Sequence, residues 1–348
     1  MAARAHLISL ASAVPPHILW QRDVAAAAQR MFGDRYDAFG RLAKVFETAG
    51  IVKRHGVRPI EWYVEPRGWP ERTAAYLDGA EALFVAAGGE ALDKAGLTAG
   101  DVDCVVTVSS TGIATPSLEA RVLARMGFRA DVMRVPVFGL GCAGGVSGLS
   151  IAARLAEARP GSIVLLVAVE LCTLAFRLDE LTKANIVATA LFGDGAAACI
   201  LGTGGGIAAV EGAAEHTWEE TLDIMGWNVD PLGFGVIFAR AIPPFVEEKL
   251  APVMAAFLAR LDLREADVDR FVCHAGGAKV IAALEQALRL EQGSLVDERA
   301  VLATCGNMSS PTVLFVLDRV LGRGAPPRAV LTALVPGFTA SCVSLKAA

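Results

Sequence analysis

A chain of 348 residues with 54% apolar side chains and a net charge of −5 can fill a large core and still leave apolar area for a subunit interface or a greasy cavity. Both signs of charge are scattered along it with no Lys/Arg stripe, so nucleic acid is not an expected partner. No uncharged apolar run reaches the ~18 residues of a membrane span. The seven cysteines are odd in number, form no CxxC pair and sit mostly inside strand-like runs. That usage argues against a disulfide framework and against a metal site, and it places the chain in the reducing cytoplasm.

The N-terminal string MAARAHLISLASAVPPH resembles a short signal peptide, but its apolar part is brief and Pro15-Pro16 stands where a cleavage site would be. Residues 5–12 read instead as a first strand. Residues 80–95 read as a helix stopped by Gly96. The Val-rich run 102–109 is a strand, and 117–126 is a capped helix ended by Gly127. A strand at 132–138 leads into the turn Gly139-Leu140-Gly141-Cys142 and a small-residue helix over 142–158, broken by Pro160-Gly161. Strands follow at 162–170 and 196–201. The GTGGG string at 202–206 has neither the GxGxxG spacing nor a helix after it, so it is no phosphate loop. It marks a boundary between halves 1–206 and 207–348. The second half repeats the grammar, with helices at 245–263, 279–288 and 308–321 and strands at 270–274, 330–335 and 342–345. Two halves of similar βα grammar imply a layered α/β protein with buried mixed sheets.

Three positions stand out chemically. Cys142 lies between a strand and a helix in Gly-Leu-Gly-Cys-Ala-Gly-Gly, where backbone N–H groups and the helix dipole favour a thiolate. A buried structural cysteine fits the same place. His274 ends the apolar strand FVC and enters a Gly-Gly turn. It suits either a half-buried satisfied histidine or a group that activates a thiol and polarises a carbonyl. Asn307, in Cys-Gly-Asn-Met-Ser-Ser before an apolar helix, suits either an N-cap or an amide donor to a thioester oxygen. One nucleophile and two donors, each at a strand–helix junction, together make a plausible acyl-transfer site. Asp194, in Gly-Asp-Gly-Ala, reads as a structural residue holding backbone N–H groups. Arg41 and Lys44 share a helix face at i, i+3, which fits a solvated face as well as a phosphate grip.

At these residues the sequence resembles the type III polyketide synthases, the chalcone synthase-like family of thiolase-fold enzymes. The strings that carry the resemblance are GLGCAGG around Cys142, ALFGDGAAA at 190–198, HAGGAK from His274, GNMSS from Gly306 and PGF at 336–338. Ketoacyl synthase III enzymes share the fold and the Cys–His–Asn order, but the histidine and asparagine strings look more like type III synthases. The resemblance implies a five-layer αβαβα thiolase-like fold of two similar halves and a homodimer. It implies CoA thioesters, acyl-CoA and malonyl-CoA, as substrates with no cofactor and no metal. Cys142 would carry the acyl chain, with His274 and Asn307 stabilising the thioester carbonyl and promoting decarboxylation of malonyl-CoA. Phe192 matches the gatekeeper aromatic beside the CoA tunnel. The second gatekeeper falls near Val236. Arg41 and Lys44 match basic residues that hold CoA phosphates, and a third such position is Thr48. The plant family's GFGPG loop reads Ala333-Leu334-Val335-Pro336-Gly337 here, which departs from flavonoid-type cyclisation.

STGIATPS at 110–117 and GLGCAGG look most like the bacterial long-chain alkylpyrone and alkylresorcinol synthases. Thr111, Thr115 and Cys172 fall where that subgroup has small residues along an acyl tunnel, and Val236 and Ser309 join them in the expected substrate-tunnel set. The implied activity is iterative condensation of malonyl-CoA onto a fatty acyl starter, delivered on CoA, an acyl carrier or a fatty acid synthase. Each buried CH₂ of such a starter contributes ~0.8 kcal/mol. The rival expectations are a single ketoacyl synthase III-like condensation and a catalytically silent thiolase-fold scaffold.

Overall fold

The computed structural model describes residues 3–239 and 241–348. The first half contributes β1 (His6–Ala13), β2 (His17–Trp20), β3 (Lys53–Gly56), β4 (Cys104–Val108), β5 (Met133–Val137), β6 (Val164–Leu171) and β7 (Asp194–Gly202). The second contributes β8 (Ala208–Thr217), β9 (Met225–Asp230), β10 (Gly233–Phe238), β11 (Arg270–Cys273), β12 (Arg328–Val335) and β13 (Thr339–Ala347). Two short pairs, β2–β3 and β9–β10, stand apart. The remaining nine strands run in the order β11-β12-β13-β8-β1-β7-β6-β4-β5. Only two residue pairs, His6–Ala209 and Leu7–Ala208, join β1 to β8. The run of nine is therefore two mixed sheets meeting at one corner.

Side-chain alternation makes the layers. In β6, Val164, Leu166 and Ala168 face the middle of the molecule, while Leu165, Val167 and Val169 face an outer layer containing helix Trp69–Ala95. In β12, Ala329, Leu331, Ala333 and Val335 face the middle, while Val330 and Leu334 face helices Ile242–Ala259 and Ala278–Ala287. Strands buried on both faces read as continuous apolar runs, which is why these were visible in the sequence. Between the sheets lie helices Gly144–Ala158 and Thr312–Leu321. The first buries Gly, Ala and Ser on most of its surface, and the second buries Val313, Leu314, Val316 and Leu317. The result is helix, sheet, helix pair, sheet, helix pair: the five-layer thiolase-like arrangement.

Several boundaries differ from the sequence reading. Helix Trp69–Ala95 begins at Trp69 rather than at 80, because Pro70 opens its first turn and the Glu71 carboxylate accepts from the Gly68 N–H at 2.9 Å. The stretch expected as one helix at 117–126 is two short ones, Leu118–Arg121 and Leu123–Met126, parted at Val122. The helix expected from 308 starts at Thr312, since Asn307–Ser309 turn away to build the site. Likewise Cys142 sits in the 3₁₀ turn Gly141–Ala143, and the α-helix proper starts at Gly144. β8, β9 and β10 had no counterpart in the sequence reading. The half-exposed residues of β8 and β9 lack a continuous apolar run, and β10 is a short run interrupted by Gly233 and Gly235. No helix among the described residues is long and apolar enough to cross a membrane.

Candidate active site

The candidate nucleophile is set by a tight turn after β5. Gly141 has φ 47°, and a Cβ there would lie 2.6 Å from Pro336 Cδ, so glycine alone lets this turn approach the end of β12. The Ser110 hydroxyl accepts from the N–H groups of Gly139 and Gly141 at 3.1 and 3.2 Å and pins the turn. Behind it, the Glu170 carboxylate accepts from Ser110 N–H (2.9 Å) and Thr111 Oγ1 (2.7 Å) on one oxygen and from Ser310 Oγ (2.9 Å) on the other. Glu170 is fully buried, and burial pushes its carboxyl up to about 7 despite those hydrogen bonds. Burial also pushes the Cys142 thiol up to about 11. Hydrogen bonds with Ser309 and Asn307 oppose that, while the nearby Glu170 charge reinforces it.

His274 follows β11, and its N–H donates to Thr332 O at 2.9 Å. Its imidazole is buried with neither ring nitrogen partnered among the described residues. Burial pushes its pKa down to about 4, so the ring is neutral near pH 7. A buried polar group without a partner costs about 1–3 kcal/mol, a cost that a bound carbonyl or thiol can offset. Thiol and imidazole are thus both neutral in the free protein near pH 7.

Asn307 is held from all sides. Its Nδ2 donates to Gly276 O at 3.2 Å, and its Oδ1 accepts from Ser309 N–H at 2.8 Å. Its side chain also hydrogen-bonds with the Cys142 thiol, which takes the remaining Nδ2 hydrogen. Its own N–H donates to Leu191 O at 2.8 Å, and its carbonyl accepts from Gly193 N–H at 3.0 Å. This short bridge ties Asn307 to Phe192. Gly306 has φ 70°, and a Cβ there would meet Leu191 O at 2.7 Å, so the two segments approach this closely only with glycine.

Cys142, His274 and Asn307 line one cavity together with Met225, Phe238 and Thr332. A second lobe shares Cys142 and Asn307 and adds Cys172, Phe192, Trp227, Val236 and Ser309. The Phe192 ring meets Trp227 edge-on with centroids 6.3 Å apart, and Trp227 Nε1 donates to Ser110 O at 2.8 Å. Cys172 and Phe192 also line a third cavity, walled by apolar residues such as Leu19, Val24, Met31 and Phe176. Of the expected tunnel set, the structure thus brings Cys172, Val236 and Ser309 to the cavities. It does not bring Thr111 or Thr115 to them: the Thr111 hydroxyl is bonded to Glu170 and Leu171 N–H, and Thr115 is exposed. Arg41 and Lys44 lie exposed on short helices, Phe39–Leu42 and Lys44–Thr48, with no ion pair among the described residues. The second of these packs against helix Lys183–Leu191, which runs into Phe192. Asp194 accepts from the N–H groups of Val57 and Thr173 and from the Thr173 hydroxyl.

The family description "Chalcone and stilbene synthases, N-terminal domain" matches residues 1–205, and its C-terminal counterpart matches 211–338. The chain belongs to the chalcone and stilbene synthase family. It is 40% identical to the 1,3,6,8-tetrahydroxynaphthalene synthase of Streptomyces peucetius, over 96% of this chain and 91% of that one. It is 26% identical to the alpha-pyrone synthesis polyketide synthase-like Pks18 of Mycobacterium tuberculosis, over 94% of this chain and 86% of that one. The crystal structure of the Streptomyces coelicolor tetrahydroxynaphthalene synthase superposes with a TM-score of 0.93 at 29% identity, covering 98% of this chain and 99% of that one. As a type III polyketide synthase, the protein catalyses decarboxylative condensation of malonyl-CoA and works on CoA thioesters without a further cofactor. Among the described residues no cluster of three or more His, Cys, Asp or Glu side chains is arranged to hold a metal ion.

Sequence reasoning missed the support around the site. Glu170 carried a usable signal, a lone acid at the end of an otherwise apolar strand. Ser110, Ser310 and Trp227 carried none, because each acts through contacts made across long sequence separations.

Proposed function

We propose that this type III polyketide synthase loads a long-chain fatty acyl group onto Cys142 and extends it iteratively with malonyl units to an alkylpyrone or alkylresorcinol. The observation that carries this reading is the apolar cavity that shares Cys172 and Phe192 with the Cys142 lobe. An alkyl chain bound there gains ~0.8 kcal/mol per buried CH₂ without polar recognition. The starter thioester exchanges onto the Cys142 thiolate, and CoA thiol leaves. His274 and the Asn307 amide then stabilise the developing oxyanion and the enolate left when malonyl-CoA loses CO₂. Attack of that carbanion on the Cys142 thioester adds two carbons and frees the thiol. Phe192 gates the two lobes, and Arg41 and Lys44 take the CoA phosphates.

A homodimer fits the exposed face formed by edge strand β5 and the loop before Leu118. There Met133, Phe138 and Ile113 are more than half exposed, at 53%, 57% and 53%. Thr115 lies on the same loop and would be covered by the second copy. The seven free cysteines suit the reducing cytoplasm.

One observation favours a second reading. The relative at 40% identity bears a name describing a polyhydroxylated naphthalene product, which would correspond here to malonyl-CoA acting as its own starter. Product analysis by mass spectrometry separates the two. Malonyl-CoA alone should give little product, and addition of dodecanoyl- to octadecanoyl-CoA should give alkylated tri- and tetraketides. Efficient turnover of malonyl-CoA alone, unchanged by added acyl-CoA, would overturn the fatty-acyl reading.

A further inference from the structure

The apolar cavity has a second boundary. Met31 and Val64 on its wall also line an open surface groove that carries Arg30, Arg35, Arg67 and Arg72. From the nucleophile outward, the order of spaces is the Cys142 lobe, the Cys172–Phe192 constriction, the apolar cavity and the arginine groove.

Most of this positive charge has no counter-ion. Arg67 pairs with Glu65 at 3.0 Å. Arg30, Arg35 and Arg72 have no carboxylate partner among the described residues. Arg72 is half-buried, and its guanidinium donates to the carbonyl oxygens of Arg67 (3.1 Å) and Leu174. The acidic residue on the groove wall, Asp179, is already paired with Arg177, which also holds Asp230 at 2.6 Å. Burial and the like charge of Arg177 lower the Arg72 pKa, against the opposing pull of Asp179 and Glu71, neither of which forms an ion pair with it. The methyl end of an ordinary fatty chain offers these groups nothing. A carboxylate there would accept charge-assisted hydrogen bonds from them.

We propose that the enzyme accepts starters with an anionic ω end, the mono-CoA thioesters of long α,ω-dicarboxylic acids. The methylene chain would lie in the apolar cavity and the free carboxylate at Arg30, Arg35 and Arg72. The proposal rests on the fatty-acyl reading above. Only the thioester carbon reacts: it passes from CoA sulfur to Cys142 sulfur, CoA thiol is released, and the ω-carboxylate is carried unchanged into the product. A short diacid leaves its charge stranded in the apolar cavity, so the preference must switch on with length.

The test measures kcat/KM for paired acyl-CoA and ω-carboxyacyl-CoA starters from six to sixteen carbons. The readout is the diacid-to-monoacid ratio within each protein, which cancels any general loss of activity or folding. In wild type the ratio should be far below one for short chains and exceed one at a threshold length. In the triple variant Arg30→Gln/Arg35→Gln/Arg72→Gln the ratio at that length should fall at least about tenfold, as expected on removing charge-assisted bonds. The corresponding Lys triple variant should recover part of it. A ratio that stays below one at every length, or that is the same in wild type and Gln variant, overturns this inference alone. Refusal of long monoacyl and diacyl starters alike overturns the fatty-acyl reading and this inference with it.

Discussion

The catalytic lobe and the apolar cavity are neighbours with opposite chemistry. In the lobe, polar groups are left short of partners: both ring nitrogens of His274 have none among the described residues, and the Asn307 amide reaches only the Cys142 thiol and Gly276 O. Each of those residues is nevertheless fixed through its backbone and flanking glycines. The apolar cavity is walled mostly by hydrocarbon; its buried guanidinium, Arg54, donates to Phe192 O and Gln21 Oε1, and only Arg54 Nε is left without a partner among the described residues. The first region binds by unmet hydrogen bonds, which are directional and specific to one functional group. The second binds by area, which is indifferent to chemistry and sensitive to length. Under the function proposed above, reaction type and starter choice are carried by different residues, and substitutions can separate them.

The largest expected effect is at the nucleophile. Cys142→Ala should abolish condensation. Intact-mass and peptide analysis after mixing wild type with acyl-CoA should find the acyl group on Cys142, and an acyl group on another of the seven cysteines would displace the assignment. Next come the two donors. Removing one well-aimed donor costs ~100–1000-fold in rate, so His274→Ala and Asn307→Ala should each nearly stop malonyl decarboxylation and condensation while the fold persists by circular dichroism. A variant that decarboxylates malonyl-CoA at a near-normal rate would remove that residue from the mechanism.

Smaller, and aimed at the boundary between the two regions, is Cys172→Phe. Cys172 is shared by the lobe and the apolar cavity. A ring added there should lower kcat/KM for long starters at least about tenfold, each lost buried CH₂ being worth ~0.8 kcal/mol, while hexanoyl-CoA still reacts. A uniform loss with all starters, accompanied by a lower Tm, would mean that Cys172 is only packing, where overfilling costs ~1–3 kcal/mol.

The same division decides how much could be read from sequence. Strands buried on both faces, such as β6 and β12, announce themselves as apolar runs. The three chemical residues announce themselves by the glycines that their tight backbone junctions require, as at Gly141 and Gly306. Cavity walls carry no such signature. Leu19, Met31, Tyr63 and Phe176 come from four separate segments, and each looks like ordinary core until the fold brings them around one space. Thr111 shows the converse case. As a small residue near the nucleophile it suggested a wall, but its hydroxyl is engaged with the Glu170 carboxylate, a partner 59 residues away.

Glu170 offers the subtlest way to sharpen the comparison, because it serves the lobe from behind without lining it. Its carboxyl is raised from the ordinary 4.5 to about 7. A carboxyl whose folded pKa exceeds its unfolded value binds its proton more tightly in the native state. Its favourable contribution is complete below pH 4.5 and is lost as pH climbs through 7. The loss on crossing that window is up to ~3 kcal/mol. Glu170→Gln removes the titration but keeps the shape. The amide oxygen can accept from Ser110 N–H and Thr111 Oγ1, and the amide nitrogen can donate to Ser310 Oγ, whose hydroxyl reverses its role. Thermal melts between pH 4.5 and 8 should therefore show wild type losing a few degrees of Tm relative to Glu170→Gln as pH rises. The two curves should run together only at the acid end. Because the Glu170 charge also raises the Cys142 thiol, the Gln variant should be alkylated by iodoacetamide faster than wild type at pH 8. Parallel melting curves across the whole range, with the Gln variant still alkylated faster, would mean that the network keeps Glu170 ionised throughout and that the turn carrying Cys142 rests on a permanent buried charge.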